Sequence, residues 1–364
     1  MLKKIGLINT LHLIYFLTLL CVYSEYIVSL FSYNGFENSL NLNNLPISII
    51  LIFVSSFSIQ KPGLPSYFFL HLTLALVIIP SLVIYCGSNI PIQFVFVSVS
   101  AFMLMSMTVN ILHVPRFRSS KINSNKLLVF LVILVVAIIG SVLALGGGRF
   151  LNFSLAAVYD FRRVAADNLP GIYSYLLPIT SKALIPFGAT IALLNRRKLI
   201  LLLLVGLSVL LFGLTSHKSL IFYPFVVIFI YWISRKKHLL NYFLLALIGV
   251  VFLSGLDFWM YSQGFTSLSG WFGSLFTRRT LMVPALLNWF YIDFFSDNPY
   301  YFWSQSALSF GLVEPPFELS SVNLIGLEYF GREETSANTG WIGSGYANAG
   351  FIGVYLYSVL IGIF

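Results

Sequence analysis

LLVFLVILVVAIIGSVLALGG, residues 127–147, decides the fold. No charged side chain interrupts it, and a helix needs roughly 20 apolar residues to cross the hydrocarbon core of a bilayer. Arg116, Arg118, Lys121 and Lys126 precede it, and the first charge after it is Arg149. The same unit, an apolar run closed by a short polar break, recurs from Leu7 to Leu256. The runs fall at 7–31, 45–60, 66–86, 92–113, 127–147, 172–194, 198–214, 217–234 and 239–256. The whole chain is 58% hydrophobic and 9% charged, whereas a soluble domain carries about 25% charged residues. This composition excludes a soluble enzyme and predicts an all-α, polytopic transmembrane protein of about ten spans.

Cytoplasmic loops carry the excess of Lys and Arg. Every second break here is basic: Lys3-Lys4, Lys61, the group from Arg116 to Lys126, Arg196-Arg197-Lys198 and Arg235-Lys236-Lys237. The alternation places the N-terminus and these breaks inside, and the remaining breaks outside. Arg149, Arg162, Arg163, Lys218, Arg278, Arg279 and Arg332 then fall on the outer side, against the rule. A cation kept there is not a topology signal and calls for an anionic partner. The net charge of +9 is shared between the two faces. Its cytoplasmic part suits anionic lipid headgroups and is no footprint of nucleic acid. Cys21 and Cys86 have neither metal-ligand spacing nor grounds for pairing. The first run follows Lys3-Lys4 as a signal peptide does, but it continues through Phe31 without a small-residue cleavage site, so it is expected to stay as a span.

Nine spans from an inside N-terminus deliver the chain to the outer side at Asp257. The expected organisation is a helical bundle over 1–256 with a small outer loop at 148–171, and a large outer loop over 257–346. A further span begins over 347–364 and is expected to be incomplete. The large loop holds most of the acidic residues and most of the tryptophans. Its segments 289–295 and 300–310 are aromatic enough to form short interfacial helices.

Four constellations on the outer side carry chemistry. In Tyr159-Asp160-Phe161-Arg162-Arg163, adjacent arginines suit bidentate hydrogen bonds to phosphate oxygens; local salt bridges to Asp160 and Asp167 are the plainer reading. In Ser216-His217-Lys218-Ser219, Lys218 supplies a fixed charge and His217 exchanges a proton near neutral pH, or the lysine simply snorkels. The third constellation, 276–295, contains Arg278-Arg279, Pro284, Asn288, Tyr291 and Asp293. The proline six residues past Arg278 places the arginines in a turn leading into a helix. On that helix Arg279, Val283 and Leu286 share a face, with Asn288, Tyr291 and Asp293 beside it, which puts a cationic entrance above an aromatic surface suited to sugar rings. The alternative is an amphipathic helix resting on the bilayer. The fourth, 331–353, combines Arg332, Glu333 and Glu334 with Asn338, Asn348 and a series of glycines. The asparagines suit sugar hydroxyls, while the glycines suit tight packing and lack the spacing of a nucleotide fingerprint. The outer loops offer one histidine, His217, too few for a zinc cluster. The acidic pairs Glu333-Glu334 and Asp293 with Asp297 stand among arginines, so no metal and no cofactor are expected.

Thr215-Ser216-His217-Lys218-Ser219, the run from Arg278-Arg279 through Pro284 to Tyr291-Ile292-Asp293, and Ala337-Asn338-Thr339-Gly340 with Tyr346-Ala347-Asn348-Ala349-Gly350-Phe351-Ile352-Gly353 resemble, in this order, the O-antigen polymerase (Wzy) family. The layout of many spans and two outer loops is similar as well, so the resemblance runs over essentially the whole chain. It implies a multi-pass glycosyltransferase of the bacterial inner membrane, metal-independent and active at the periplasmic face in lipopolysaccharide biosynthesis. Such an enzyme moves a growing glycan from undecaprenyl diphosphate onto the next lipid-linked repeat unit. Family arginines in the two large periplasmic loops handle the lipid diphosphates, and by position Arg162, Arg163, Arg278 and Arg279 match them. Family members usually finish with further spans and a cytoplasmic tail, in keeping with the incomplete last span expected here.

Transfer of this kind needs stabilisation of the departing diphosphate, deprotonation of an acceptor hydroxyl, and a lateral path for two lipids. The arginines and Lys218 are expected to serve the first by fixed electrostatics, with Tyr291, Asn338 and Asn348 as further substrate contacts. Asp293 or Glu333, with His217 behind them, is the expected general base. Apolar helix faces provide the path. The implied partners are undecaprenyl-diphosphate-linked oligosaccharides, membrane lipids and a chain-length regulator, and no nucleic acid. Two other readings stay open: an O-antigen ligase, which differs in using lipid A core as acceptor, and a lipid-linked oligosaccharide flippase or other transporter. A transporter keeps ionisable residues inside its spans and often shows inverted repeats. Glu25, His71 and Lys182 are the residues of that kind here, and no repeat is visible.

Overall fold

A bilayer offers the backbone no hydrogen-bond partner but itself, so a chain of this composition must fold into helices. The computed structural model is helical, with no strand among the described residues, which are 2–37, 39–62, 64–112, 123–151, 153, 170–215, 219–234, 238–265, 270–306 and 309–363; the side chains of 2–5, 150, 174, 219, 221 and 222 are not included. In chain order the helices are α1 (Gly6–Asn34), α2 (Asn44–Ser58), α3 (Pro65–Gly87), α4 (Ile92–Ile111), α5 (Ser124–Ala144), α6 (Tyr175–Leu194) and α7 (Lys198–Thr215). There follow α8 (Ser219–Ser234), α9 (Leu239–Ser262), α10 (271–297), α11 (Ser321–Phe330) and α12 (Trp341–Ile363). Among the described residues eight helices are long and apolar enough, by length and composition, to cross a membrane, namely α1, α3 to α7, α9 and α12, the last of them folded at 349–350. The protein is a multi-pass, all-α membrane protein.

Contacts divide the chain into two compact units, residues 1–114 with 240–364, and residues 115–239. In the second unit α5 buries Leu128, Leu131, Val135, Ile138 and Val142 and exposes Val129, Phe130, Ile133 and Val136. One stripe thus packs on protein, and the rest of the surface has the apolar character that lipid demands. The first unit cuts across the expected boundary at 256. Helix α10, which falls in the expected outer loop, buries Leu281, Met282, Leu286, Phe290, Tyr291 and Phe295 in the main core together with side chains of α1, α3 and α4. An alternation of this density cannot be satisfied at an interface, where half the surface would face water.

Four helices widen into π turns: α1 at Tyr23–Ile27, α3 at Leu74–Ile78, α6 at Thr180–Leu184 and α10 at Ser274–Met282. Three of these end two residues before a proline, at Pro80, Pro186 and Pro284. The proline ring clashes with the carbonyl four residues back and removes that hydrogen bond. An extra residue in the preceding turn moves the carbonyl aside, so the helix continues through the proline. Arg278 and Arg279 therefore stand inside a continuous helix and not in the turn that Pro284 suggested.

The first unit also contains a buried polar contact. His12 of α1 and His71 of α3 are 0% and 2% exposed, and Nε2 of His12 lies 3.0 Å from Nδ1 of His71. Whichever ring donates, the outer nitrogens, Nδ1 of His12 and Nε2 of His71, find no partner among the described residues. Such a bond in an apolar interior contributes about 0.6–2 kcal/mol and fixes the register of α1 against α3. His12→Ala strands His71 and should destabilise the protein by about 1–3 kcal/mol, whereas His12→Leu with His71→Leu removes both polar groups and should recover most of the loss. Melting of the detergent-solubilised protein measures both; equal melting of the single and double variants would contradict this account.

The last helix is folded. Ala349 (φ −157°, ψ 34°) and Gly350 (φ 55°, ψ −139°) are not helical. Beyond them the chain doubles back, so that the Gly345 carbonyl meets the space where a Gly353 side chain would stand. Trp341 Nε1 donates to Ser358 Oγ at 3.1 Å. Glycine is needed at 350 for its positive φ and at 345 and 353 for the close approach. The carbonyls freed at the bend are satisfied from outside the helix: Tyr301 N–H donates to Ala347 O and Phe302 N–H to Asn348 O, both at 2.9 Å. The last apolar segment thus starts at Trp341, not near Ala347, because the glycine-rich stretch is the shorter arm of a hairpin. With the native cysteines replaced by serine, Trp341→Cys and Ser358→Cys should be joined in membranes by a short bifunctional thiol reagent, which makes up for the lost indole; a straight helix would hold them about 25 Å apart and give no product.

Candidate functional site

Helix α10 begins where Gly273 N–H donates to Asp257 Oδ2 of α9 at 2.8 Å, a carboxylate placed at the positive end of a helix. Thr277 Oγ1 donates to Ser254 Oγ at 2.7 Å, buried between the same two helices. This docking aims Arg278 at the end of α1 away from the N-terminus. Its Nη1 donates to Asn34 Oδ1 at 2.7 Å, Nε and Nη2 donate to Ser274 Oγ at 3.1 and 2.8 Å, and Cζ sits 4.4 Å above the Phe31 ring. All these partners are neutral, and among the described residues no carboxylate pairs with Arg278. Of the donors that a guanidinium carries, one N–H on each terminal nitrogen is left over. Arg278 is half-buried, and its pKa is lowered chiefly by that burial and further by Arg279 beside it. Arg279 is exposed. The pair is an uncompensated cationic site with free donors, the arrangement that receives an oxyanion.

Gly35, next to Asn34, has φ +86° and packs against the ring of Phe290. Phe290 stacks on Tyr329 of α11 (centroids 4.1 Å apart, planes at 12°) and meets Phe330 edge-on. Tyr329 OH donates to Asp293 Oδ2 at 2.6 Å. Burial, and then the bond to Asp293, raise the Tyr329 pKa, so the phenol stays a donor. A chain of contacts therefore runs from Arg278 through Asn34, Gly35, Phe290 and Tyr329 to Asp293.

The residues singled out from the sequence separate into groups. Arg162, Arg163, His217 and Lys218 lie outside the described residues. Arg278, Arg279 and Asp293 share α10, but fifteen residues separate Arg278 from Asp293, roughly 20 Å of helix. The two do not flank one reacting atom. Glu333 is exposed in a shallow cleft with Asn323, Gly331, Arg332 and Glu334. Asn338 is exposed, with Nδ2 3.4 Å from Ser336 O. Tyr291 is fully buried and donates to Ala337 O at 3.0 Å, and Asn348 accepts from Trp303 N–H at 2.9 Å while donating to Ser344 O at 2.8 Å. Those two side chains make internal bonds: the buried Tyr291 stitches 337 onto α10, and the half-buried Asn348 ties Trp303 to the bend of α12. Sequence reasoning missed Phe31 and Asn34. The signal was present in Phe31-Ser32-Tyr33-Asn34-Gly35, an aromatic helix end closed by an Asn-Gly stop.

No protein-family model matches the chain, and no curated protein or solved structure matches it either.

Asn34→Ala removes one of three donor contacts of Arg278 and leaves its charge. It should loosen the guanidinium and weaken binding of inorganic diphosphate severalfold, while Arg279→Ala, which breaks no hydrogen bond among the described residues, should weaken binding without lowering the melting temperature. Diphosphate binding and thermal melting, measured on the same samples, check both.

Proposed function

We propose that the protein is an oligosaccharide repeat-unit polymerase of the O-antigen type. In this reading it sits in a bacterial inner membrane and transfers a growing glycan from undecaprenyl diphosphate to a lipid-linked repeat unit at the periplasmic face. The observation that carries the proposal is the half-buried Arg278 guanidinium, held among the described residues by neutral partners and set in a membrane-spanning bundle beside exposed Arg279. A membrane interior tolerates an unpaired cation poorly, and a lipid diphosphate supplies the missing anion at the right depth. As the glycosidic bond to the diphosphate breaks, charge grows on the leaving oxygen, and fixed donors facing it lower the barrier. The diphosphate itself leaves little for a general base to do. The resemblance in the order of the outer motifs supports the same reading.

The test uses the full chain in proteoliposomes with undecaprenyl-diphosphate-linked repeat units as the sole sugar source. A ladder of products is expected, with Arg278→Ala and Arg278→Lys both reducing it, the former by roughly 100-fold. Lysine keeps the charge but not the fork to Asn34 and Ser274. An unchanged repeat-unit band in the wild type overturns the proposal. A product formed only after lipid A core is added then identifies a ligase, and protection of the sugar from an external enzyme without new bonds identifies a transporter.

A further inference from the structure

The strip between Arg278 and Asp293 has opposite ends. At one end stand two cations without carboxylate partners among the described residues; at the other stands an exposed carboxylate, Asp293. The wall between them is aromatic, made by the half-buried Phe31, Tyr329 and Phe330 with the buried Phe290 ring behind them. One Asp293 oxygen accepts the Tyr329 hydroxyl, which fixes the side chain and leaves the other oxygen open. A pinned carboxylate with spare lone pairs beside aromatic faces suits vicinal hydroxyls on an otherwise apolar ring face, and it repels phosphate. The polarity of the strip therefore orients any ligand that has an anionic head and a neutral polyhydroxyl body: head at Arg278, body toward Asp293.

We infer that Asp293 and Tyr329 form a sugar subsite for the glycan, remote from the bond that is broken. This rests on the proposed function, because the head at Arg278 is taken to be the lipid diphosphate. Asp293 then acts as a positioning residue. With roughly 20 Å of helix between the two ends, the first sugar after the diphosphate does not reach Asp293, and the site is occupied only by a glycan longer than one ring. The enzyme thereby measures that its substrate carries a complete repeat unit before the arginines engage it productively. An anchor tying α11 to α10 is what the same hydrogen bond would be if it had no ligand role.

The oligosaccharide released by mild acid from the lipid-linked repeat unit serves as the first probe, observed by saturation-transfer NMR with the detergent-solubilised full chain. It has no diphosphate, so its binding tests the subsite without requiring polymerisation. Asp293→Asn and Tyr329→Phe keep shape and should weaken binding at least fivefold with unchanged melting, whereas Arg278→Ala should leave it intact. The second probe is undecaprenyl diphosphate carrying one sugar, compared as donor with the complete repeat-unit lipid. Wild type should prefer the complete unit, and Asp293→Asn should raise KM for that unit alone and erase the preference. Binding that survives both subsite variants, or a loss of kcat by Asp293→Asn on both lipids alike, overturns the subsite. If the released oligosaccharide binds through Asp293 but no ladder ever forms, the polymerase reading fails while the subsite stands.

Discussion

The main irregularities of the described helices answer one constraint: a polar backbone in an apolar solvent must be satisfied by other parts of the chain. Helices meet the constraint locally. Where Pro80, Pro186 and Pro284 withhold a donor, the π turns ahead of them keep the helix running. Where α12 breaks at Ala349 and Gly350, the segment 300–303 delivers two N–H groups to the freed carbonyls. That strap holds Phe302 and Trp303 at φ 45° and 57°, a left-handed conformation that bulky residues rarely take. Trp303 is fastened at both its backbone and its ring, to Asn348 Oδ1 and Tyr357 OH. The bend of α12 and the strained strap exist together because each supplies what the other lacks.

The same reasoning explains the position of the cationic site. A wide π stretch changes the phase of α10, so that Arg278 turns toward α1 while Leu281 and Met282 enter the core. The neutral cradle of Asn34, Ser274 and Phe31 holds the guanidinium without cancelling its charge. Asp257 is engaged by the N-terminal turn of α10, and among the described residues no carboxylate pairs with Arg278.

Much of the architecture was legible because hydropathy reports directly on the solvent around a helix. Each of the nine apolar runs before Asp257 contains a helix among the described residues; seven of these helices are long and apolar enough to cross a membrane, and α2 and α8 are the shorter ones. What hydropathy could not report was tertiary reuse. The segment beyond 257 reads as a loop because its aromatic and polar residues alternate, yet α10 packs its aromatic side into the core. Of the candidate site, Arg278, Arg279 and Asp293 were visible as charges out of place. The internal bonds of Tyr291 and Asn348 were not legible, since a phenol or an amide suited to sugar suits a backbone carbonyl equally well. Phe31 and Asn34 escaped notice because they belong to a helix end far away in sequence.

The brevity of α2 bears on the lipid around it. Helix α2 has 15 residues and spans roughly 22 Å. It packs on α4 and exposes the apolar side chains Ile50 and Phe57. A hydrocarbon core about 30 Å thick extends beyond a helix of that length, and such a mismatch is relieved by thinning of the adjacent bilayer. The flank of α2 is therefore a place where the membrane is drawn in and its acyl chains are short of protein to cover.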